Sequence, residues 1–402
     1  MSFQLSWIDD ELNKRARIGL GRRRLSVTSL PDGWCKVDGQ KLRNFASNDY
    51  LNLAHDTRVI AAAAKALREA GAGAGASPLV SGRSPFHERL EMRLAEFERA
   101  GAAILFPTGF AANLGTITAL VGQGDGVFCD RLNHASLVDG CRLSAARLRV
   151  YRHDDLTELD DALVKDGAAR RRLIVSDSVF SMEGDHAPLV ELCQIAERRG
   201  AMLMVDEAHA TGVYGEHGSG LVEHLGLSDR VAVRVGTLSK AIGSLGGFAV
   251  GSAPLIDWLW NVARTQMYST ALPPSACAAA ETALGIIETE PDRRRKLWEL
   301  GARFRQRLAE NSINTPSAAT GPIVPILLES PDRAVHVASR LQTRGFLVGA
   351  IRPPTVPSGT SRLRITMSAA HCELDVDALS TALTETLAEA SDRIAIGEGV
   401  SE

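Results

Sequence analysis

Two residues raise the question of chemistry. Asp206, in Asp206-Glu207-Ala208-His209, follows the apolar run Met202–Val205. Lys240, in Thr237-Leu238-Ser239-Lys240, follows Val231–Gly236. Both runs read as strands, and ligands of open α/β sheets bind beyond the carboxyl ends of strands. An aspartate at such an end is as readily a helix cap, and a lysine there is ordinarily a solvated surface group. Lys240, however, is flanked by the hydroxyls of Thr237 and Ser239 and followed by Gly243, Gly246 and Gly247. In so confined a setting an amine can lose its proton and bond to an aldehyde carbon. An acid on a neighbouring strand end is what a pyridinium nitrogen requires. The pair makes pyridoxal phosphate the first cofactor to weigh.

Other strand ends carry polar groups of the right kind. Pro107-Thr108-Gly109-Phe110-Ala111-Ala112-Asn113 follows the run Ala103–Phe106 and opens a helix, where free N–H groups suit a phosphate and Gly109 permits close approach. An ordinary strand-to-helix turn is the rival reading. His134, in Asn133-His134-Ala135-Ser136 after Gly126–Asp130, is either a capping residue or a ring that stacks on a planar cofactor and exchanges protons near neutrality. Ser181, in Phe180-Ser181-Met182-Glu183-Gly184-Asp185 after Leu173–Ser176, either donates into the same crevice or stabilises a turn. His209, three residues past Asp206, reads as a site histidine or a merely hydrogen-bonded one. The run Gly71-Ala72-Gly73-Ala74-Gly75-Ala76 formally fits a dinucleotide fingerprint. It follows the helical pattern Ala61–Ala70 instead of a strand, so a nicotinamide enzyme is not indicated.

The elements that must position these residues are legible as patterns. Between about 100 and 250, short apolar runs (the five above, with Leu148–Tyr151 and Gly247–Val250) alternate with helical stretches such as Leu189–Arg199. Such runs suit strands buried on both faces of a mostly parallel, seven-stranded sheet in a three-layer α/β domain. The chain divides into an N-terminal segment 1–55, a large domain 56–290 and a smaller α+β domain 291–402. The last holds a helix from Pro291 to about Leu308, strands Ile323–Leu328, Phe346–Ile351 and Leu363–Met367, and a closing helix carrying Leu379 and Leu383. The tail Ile394–Glu402 reads as frayed. With 45% apolar and 23% charged residues and a net charge of −3, the 402 residues form a globular chain with no basic field for nucleic acid or anionic lipid. Six cysteines show no CxxC and no zinc-ligand spacing, so buried thiols and no metal site are expected. The acidic N-terminus fits no signal or transit peptide, and no apolar run suffices to span a bilayer, so the cytoplasm is the expected location.

Taken together, SNDYLNLA, PTGFAAN, DRLNHASL, SVFSMEGDHAPL, MLMVDEAHATGVYGEHG, TLSKAIGSLGG, YSTALPPS and IRPPTVPSGTSRLRITMSAAH resemble, in order and spacing, the α-oxoamine synthases. These fold-type-I pyridoxal phosphate enzymes condense an amino acid with an acyl thioester and expel carbon dioxide. The resemblance covers roughly residues 5–390 and implies an aminotransferase-like fold. It implies Lys240 as the lysine joined to the cofactor aldehyde, Asp206 at the pyridine nitrogen, His209 with Ser181 at the phenolic oxygen, and His134 on the ring. Gly109, Phe110 and Thr237 would hold the phosphate, and Thr270 would reach the phosphate of a partner subunit in a homodimer. Arg352 would bind an amino-acid carboxylate, Thr355 would line the substrate site, and Arg22, first of Arg22-Arg23-Arg24, would meet the acyl group. Arg352-Pro353 stands where many relatives carry Tyr-Pro, which favours L-alanine with pimeloyl-CoA or pimeloyl-acyl-carrier protein. Glycine with acetyl-CoA is the runner-up, and a catalytically silent sensor of the same fold is the rival of another class. Pro78 replaces a common arginine, Asn133 a common serine, and His153-Asp154-Asp155 a common His-Asn-Asp.

Overall fold

The seven apolar runs pair into one sheet. In the computed structural model, which describes residues 5–316 and 320–395, the strands lie in the order Ala102–Phe106, Gly247–Gly251, Val233–Thr237, Met202–Asp206, Arg172–Asp177, Gly126–Asp130, Arg147–Tyr151. Neighbours run parallel except for Gly247–Gly251, which is antiparallel to both of its partners. Every residue of Gly126–Asp130 and Val233–Thr237 is buried, because both faces of the sheet are covered. On one face Phe106, Val127, Val175, Met204 and Val235 pack with Ile117 and Leu120 of the helix Gly109–Leu120 and with Leu137 of Ala135–Leu143. On the other face Phe128, Ile174, Leu203 and Phe248 are equally buried. Burying one such side chain contributes roughly 1.5–3 kcal/mol, and this pattern makes the central strands continuous apolar runs. Arg147–Tyr151 is an edge strand paired only with Gly126–Asp130, which is why it tolerates the exposed Arg149.

The chain falls into two compact units. One comprises Asn48–Ser181 and Asp185–Arg295 and holds the seven-stranded sheet; the other comprises residues up to Ser47, Met182–Gly184 and Lys296 onward. The expected boundaries lie after 55 and 290; the units divide after Ser47 and Arg295, and residues up to Ser47 share a unit with C-terminal residues. That unit has two sheets of its own. Val27–Leu30, Trp34–Val37 and Gln40–Asn44 form a meander that Phe346–Leu347 joins in parallel. Ile323–Glu329, Ser361–Thr366 and Gly349–Ile351 form an antiparallel sheet. The single strand expected over Phe346–Ile351 is therefore two, with the buried Val348 between pieces that pair in different sheets. The helix Glu373–Ala395 ends the described chain; the rest of the tail expected to fray, from residue 396, lies outside the described residues. All six cysteines are unbridged, five of them buried and Cys372 exposed. Among the described residues no helix is long and apolar enough to cross a membrane.

Candidate active site

Lys240 lies three residues beyond the strand Val233–Thr237, and its Nζ stands 2.7 Å from His209 Nε2. The other ring nitrogen, Nδ1, is 2.6 Å from the hydroxyl of the buried Tyr50. The imidazole is thus fixed at both ends and presents one nitrogen to the amine. Of the seven lysines in the chain, the other six are exposed and Lys240 alone is partly buried. That is the partial desolvation on which a nucleophilic amine depends.

Asp206 ends the neighbouring strand Met202–Asp206 and is buried. Its Oδ2 accepts from Asn113 Nδ2 at 2.6 Å and its Oδ1 from the Ala208 N–H at 2.7 Å. Asn113 also donates to Ser136 Oγ at 2.8 Å, and Ser136 Oγ lies 2.7 Å from His134 Nδ1. His134 caps the helix Ala135–Leu143, and its own N–H donates to Asp177 Oδ2 at 2.7 Å. His134 is thus a cap, and it is exposed beside Phe110, with ring centroids 6.4 Å apart. Desolvation lowers the pKa of His134; the Asp206 charge opposes that shift and the Lys240 charge reinforces it. The imidazole thus senses both strand-end residues. Burial, then the Asp206 charge, raises the Asp177 carboxyl well above the usual range.

The strand-to-helix turn at Thr108 makes an anion cradle. Thr108 accepts from the Ala111 N–H through its side chain and from Ala112 through its carbonyl. Among the described residues the first amides of the helix, Gly109 and Phe110, take no partner. A Cβ on Gly109 would stand 3.2 Å from Thr237 Cβ, and one on Gly247 would lie 2.4 Å from the Thr108 carbonyl oxygen. The two glycines let the helix start, Thr237 and the antiparallel strand converge. Thr237 Oγ1 donates to the Gly246 carbonyl at 2.9 Å and accepts from the Ser239 N–H at 3.2 Å. Ser181 is partly buried on the segment after Arg172–Asp177. Thr270 is exposed on the connection Ser269–Pro273, where Ala271 N–H donates to the Ala76 carbonyl at 3.0 Å.

Of the residues expected at the substrate, Arg22, Arg352 and Thr355 cluster within the other unit, whereas His134 belongs to the unit with the seven-stranded sheet. Arg352 donates to the carbonyls of Gly19 and Gly21 at 2.6 and 2.9 Å, and Arg22 Nη2 lies 3.5 Å from Thr355 Oγ1. Burial, then the nearby Arg22 charge, lowers the Arg352 pKa. The Asp332 carboxylate opposes that shift.

The aminotransferase class I and II model matches residues 40–383. The chain belongs to this family. Within it, an 8-amino-7-oxononanoate synthase of Anaeromyxobacter dehalogenans is 50% identical, covering 95% of this chain and 96% of that protein. A serine palmitoyltransferase from S. paucimobilis, solved with pyridoxal phosphate as a myriocin adduct, superposes with a TM-score of 0.92 at 29% identity, over 97% of this chain and 98% of that one. The 8-amino-7-oxononanoate synthase of Francisella tularensis gives 0.75 at 27% identity, over 87% and 99%. The fold is that of fold-type-I enzymes, and the α-oxoamine synthase resemblance stands.

The residues present fit the family's cofactor on the structure's own terms. They offer an amine beside an imidazole, a buried carboxylate one strand away, and a helix start with two unpartnered amides. Sequence reasoning passed over Tyr50, Asn113, Ser136 and Asp177. Asn113 was within reach, since it sits four residues after Gly109 on the same helical face. Tyr50 gave no local sign, because its partner lies 159 residues away.

Proposed function

We propose that this chain condenses L-alanine with a pimeloyl thioester, releasing carbon dioxide and the thiol and forming 8-amino-7-oxononanoate, a step of biotin biosynthesis. The observation that carries the reading is the Lys240–His209–Tyr50 set beside Asp206, in a chain half identical to a relative of that name. Pyridoxal 5'-phosphate, when bound, supplies the electron sink for loss of the alanine α-proton and of carbon dioxide. The protein's part is positional and acid–base. Lys240 would hold the aldehyde carbon, and its amine would serve as the base for the alanine α-proton. Asp206 keeps a proton on the pyridine nitrogen, and Asn113 and the Ala208 N–H hold that carboxylate in place. His209 with Ser181 holds the phenolic oxygen, His134 covers one ring face, and the Gly109 and Phe110 amides with Thr237 take the phosphate. Free thiols suit a reducing compartment such as the cytoplasm.

The test is a grid of alanine, glycine and serine against pimeloyl-, acetyl-, succinyl- and palmitoyl-CoA, with pimeloyl-acyl-carrier protein added, read by thiol and carbon dioxide release. Alanine with a pimeloyl thioester should stand out. Turnover with glycine and acetyl-CoA instead would move the reading to the aminoketobutyrate reaction, and silence throughout would favour the sensor.

Arg22 and Arg352 should separate the substrates. Arg22→Ala should raise KM for the acyl thioester by about 10- to 100-fold, the cost of a charged hydrogen bond, and leave alanine alone. Arg352→Ala should raise the alanine KM comparably. It should touch the acyl KM more weakly, because it also frees the Gly19–Gly21 carbonyls beside Arg22. An Arg22→Ala enzyme impaired equally for both substrates would make the cluster structural.

A homodimer completes the reading, with Thr270 serving the partner's phosphate. Thr270→Glu should weaken cofactor binding across that interface. When it is unfolded and reassembled with Lys240→Ala, one site of each mixed dimer collects both defects and the other has neither. Random exchange then restores about a quarter of wild-type activity. No recovery, with mixed dimers confirmed by native mass spectrometry, would mean that each site is built within one chain.

A further inference from the structure

His153 lies outside the group just described, yet it joins the segments that carry two of its members. Its Nδ1 is 3.1 Å from Asp130 Oδ2 and its Nε2 is 3.2 Å from Asp185 Oδ2. Asp130 ends the strand Gly126–Asp130, is buried, and accepts from the Leu132 N–H at 2.8 Å, which sets the turn leading to His134. The Asp185 carbonyl accepts from the Phe180 N–H at 3.0 Å, immediately before Ser181. The His153 ring meets Phe180 edge-on, centroids 4.4 Å apart. Ser178, at the other end of that segment, donates to the Asp206 carbonyl at 2.9 Å from its N–H and 3.0 Å from its hydroxyl. We propose that His153 is a positioning residue: its ring, bridging Asp130 and Asp185, ties the turn that carries His134 to the segment that carries Ser181.

The charge balance explains why an imidazole is needed. Three carboxylates face the ring: Asp130, Asp185 and, 3.4 Å from Nε2, the half-exposed Asp154. Asp154 thus brings a third negative charge to the histidine. The buried Tyr151, at the end of the adjoining strand, has its pKa raised by burial and then by Asp130, so it stays neutral. Burial opposes charge on His153, but the hydrogen bonds it donates to Asp130 and Asp185 outweigh it and hold the pKa up to about 10. A histidine raised from 6.5 contributes fully below about 6.5, and that contribution fades as the pH climbs towards 10. The clamp is therefore closed throughout the neutral range. Without the cation the carboxylates repel, and the two segments lose their common anchor.

The inference rests on the proposed roles of His134 and Ser181, and the test keeps the two apart. In His153→Gln, hydrogen exchange of apo- and holoenzyme should quicken about 10- to 100-fold at the Leu132 and Phe180 amides, while Met202–Asp206 stays protected. Asp185→Asn, a milder change, should loosen Phe180 and spare Leu132. Cofactor affinity, followed by fluorescence, should fall in His153→Gln, and by less when Ser181→Ala is already present, because coupled residues are non-additive. Exchange that is unchanged, or raised evenly through the sheet, would overturn the positioning role. If Ser181→Ala and His134→Ala also leave cofactor affinity unmoved, the reading of the site itself fails. If they move it and His153→Gln does not, only the clamp falls.

Discussion

Lys240→Ala should lose turnover by about 10³-fold or more, because one substitution removes both the amine that holds the cofactor aldehyde and the base for the α-proton. The protein should still fold. The Lys240 side chain is partly buried at the rim of the sheet, and His209, to which it hydrogen-bonds, keeps Tyr50 as a partner. Cofactor should remain bound, more weakly, through the Gly109 and Phe110 amides and Asp206. Borohydride reduction of the holoenzyme followed by peptide mass analysis checks the assignment directly. The wild-type protein should carry its pyridoxyl mass on the peptide containing Lys240, and the variant should carry none. A trapped adduct on one of the six exposed lysines, or near-normal turnover in the variant, would remove Lys240 from the mechanism.

What the sequence made legible followed burial. The strands ending at Asp206 and Thr237 are apolar because the sheet is covered on both sides, so the positions of Asp206 and Lys240 beyond neighbouring strand ends were readable before any coordinates. Gly109 was readable for the same reason, as a residue without a side chain at a strand-to-helix turn. The split of Phe346–Ile351 was not, because the two halves differ only in which distant strand each meets, Arg43–Asn44 or Arg362–Arg364. Tyr50, Asp177 and His153 escaped for a related reason: each works through a partner remote in sequence, and a lone tyrosine, aspartate or histidine announces no partner. The family resemblance located the segments that hold Tyr50 and Asn113. It did not say that one fixes His209 and the other Asp206.

Asp206→Asn should keep the covalent link at Lys240 and yet slow exchange of the alanine α-hydrogen by about 10²- to 10³-fold, the usual loss when a preorganised charge partner is neutralised in a buried site. The substitution tests charge more than packing. Asn113 Oδ1 is buried without a hydrogen-bond partner, so rotating that amide would let it accept from the new side chain, at the cost of its bond to Ser136 Oγ, whose proton stays on His134 Nδ1. The Ala208 N–H keeps an oxygen to which it can donate. Melting temperature should therefore move little. Removing the Asp206 charge also removes the repulsion that, after burial, holds the Asp177 carboxyl up, so Asp177 should ionise more readily. The His134 N–H bond to Asp177 would then strengthen, leaving the imidazole where it was. Deuterium incorporation into alanine, followed by NMR with the holoenzyme and no acyl donor, isolates the step. A rate within a few fold of wild type would mean that the ring nitrogen does not depend on Asp206 for its proton, and the buried carboxylate would then be no more than the cap that holds Ala208.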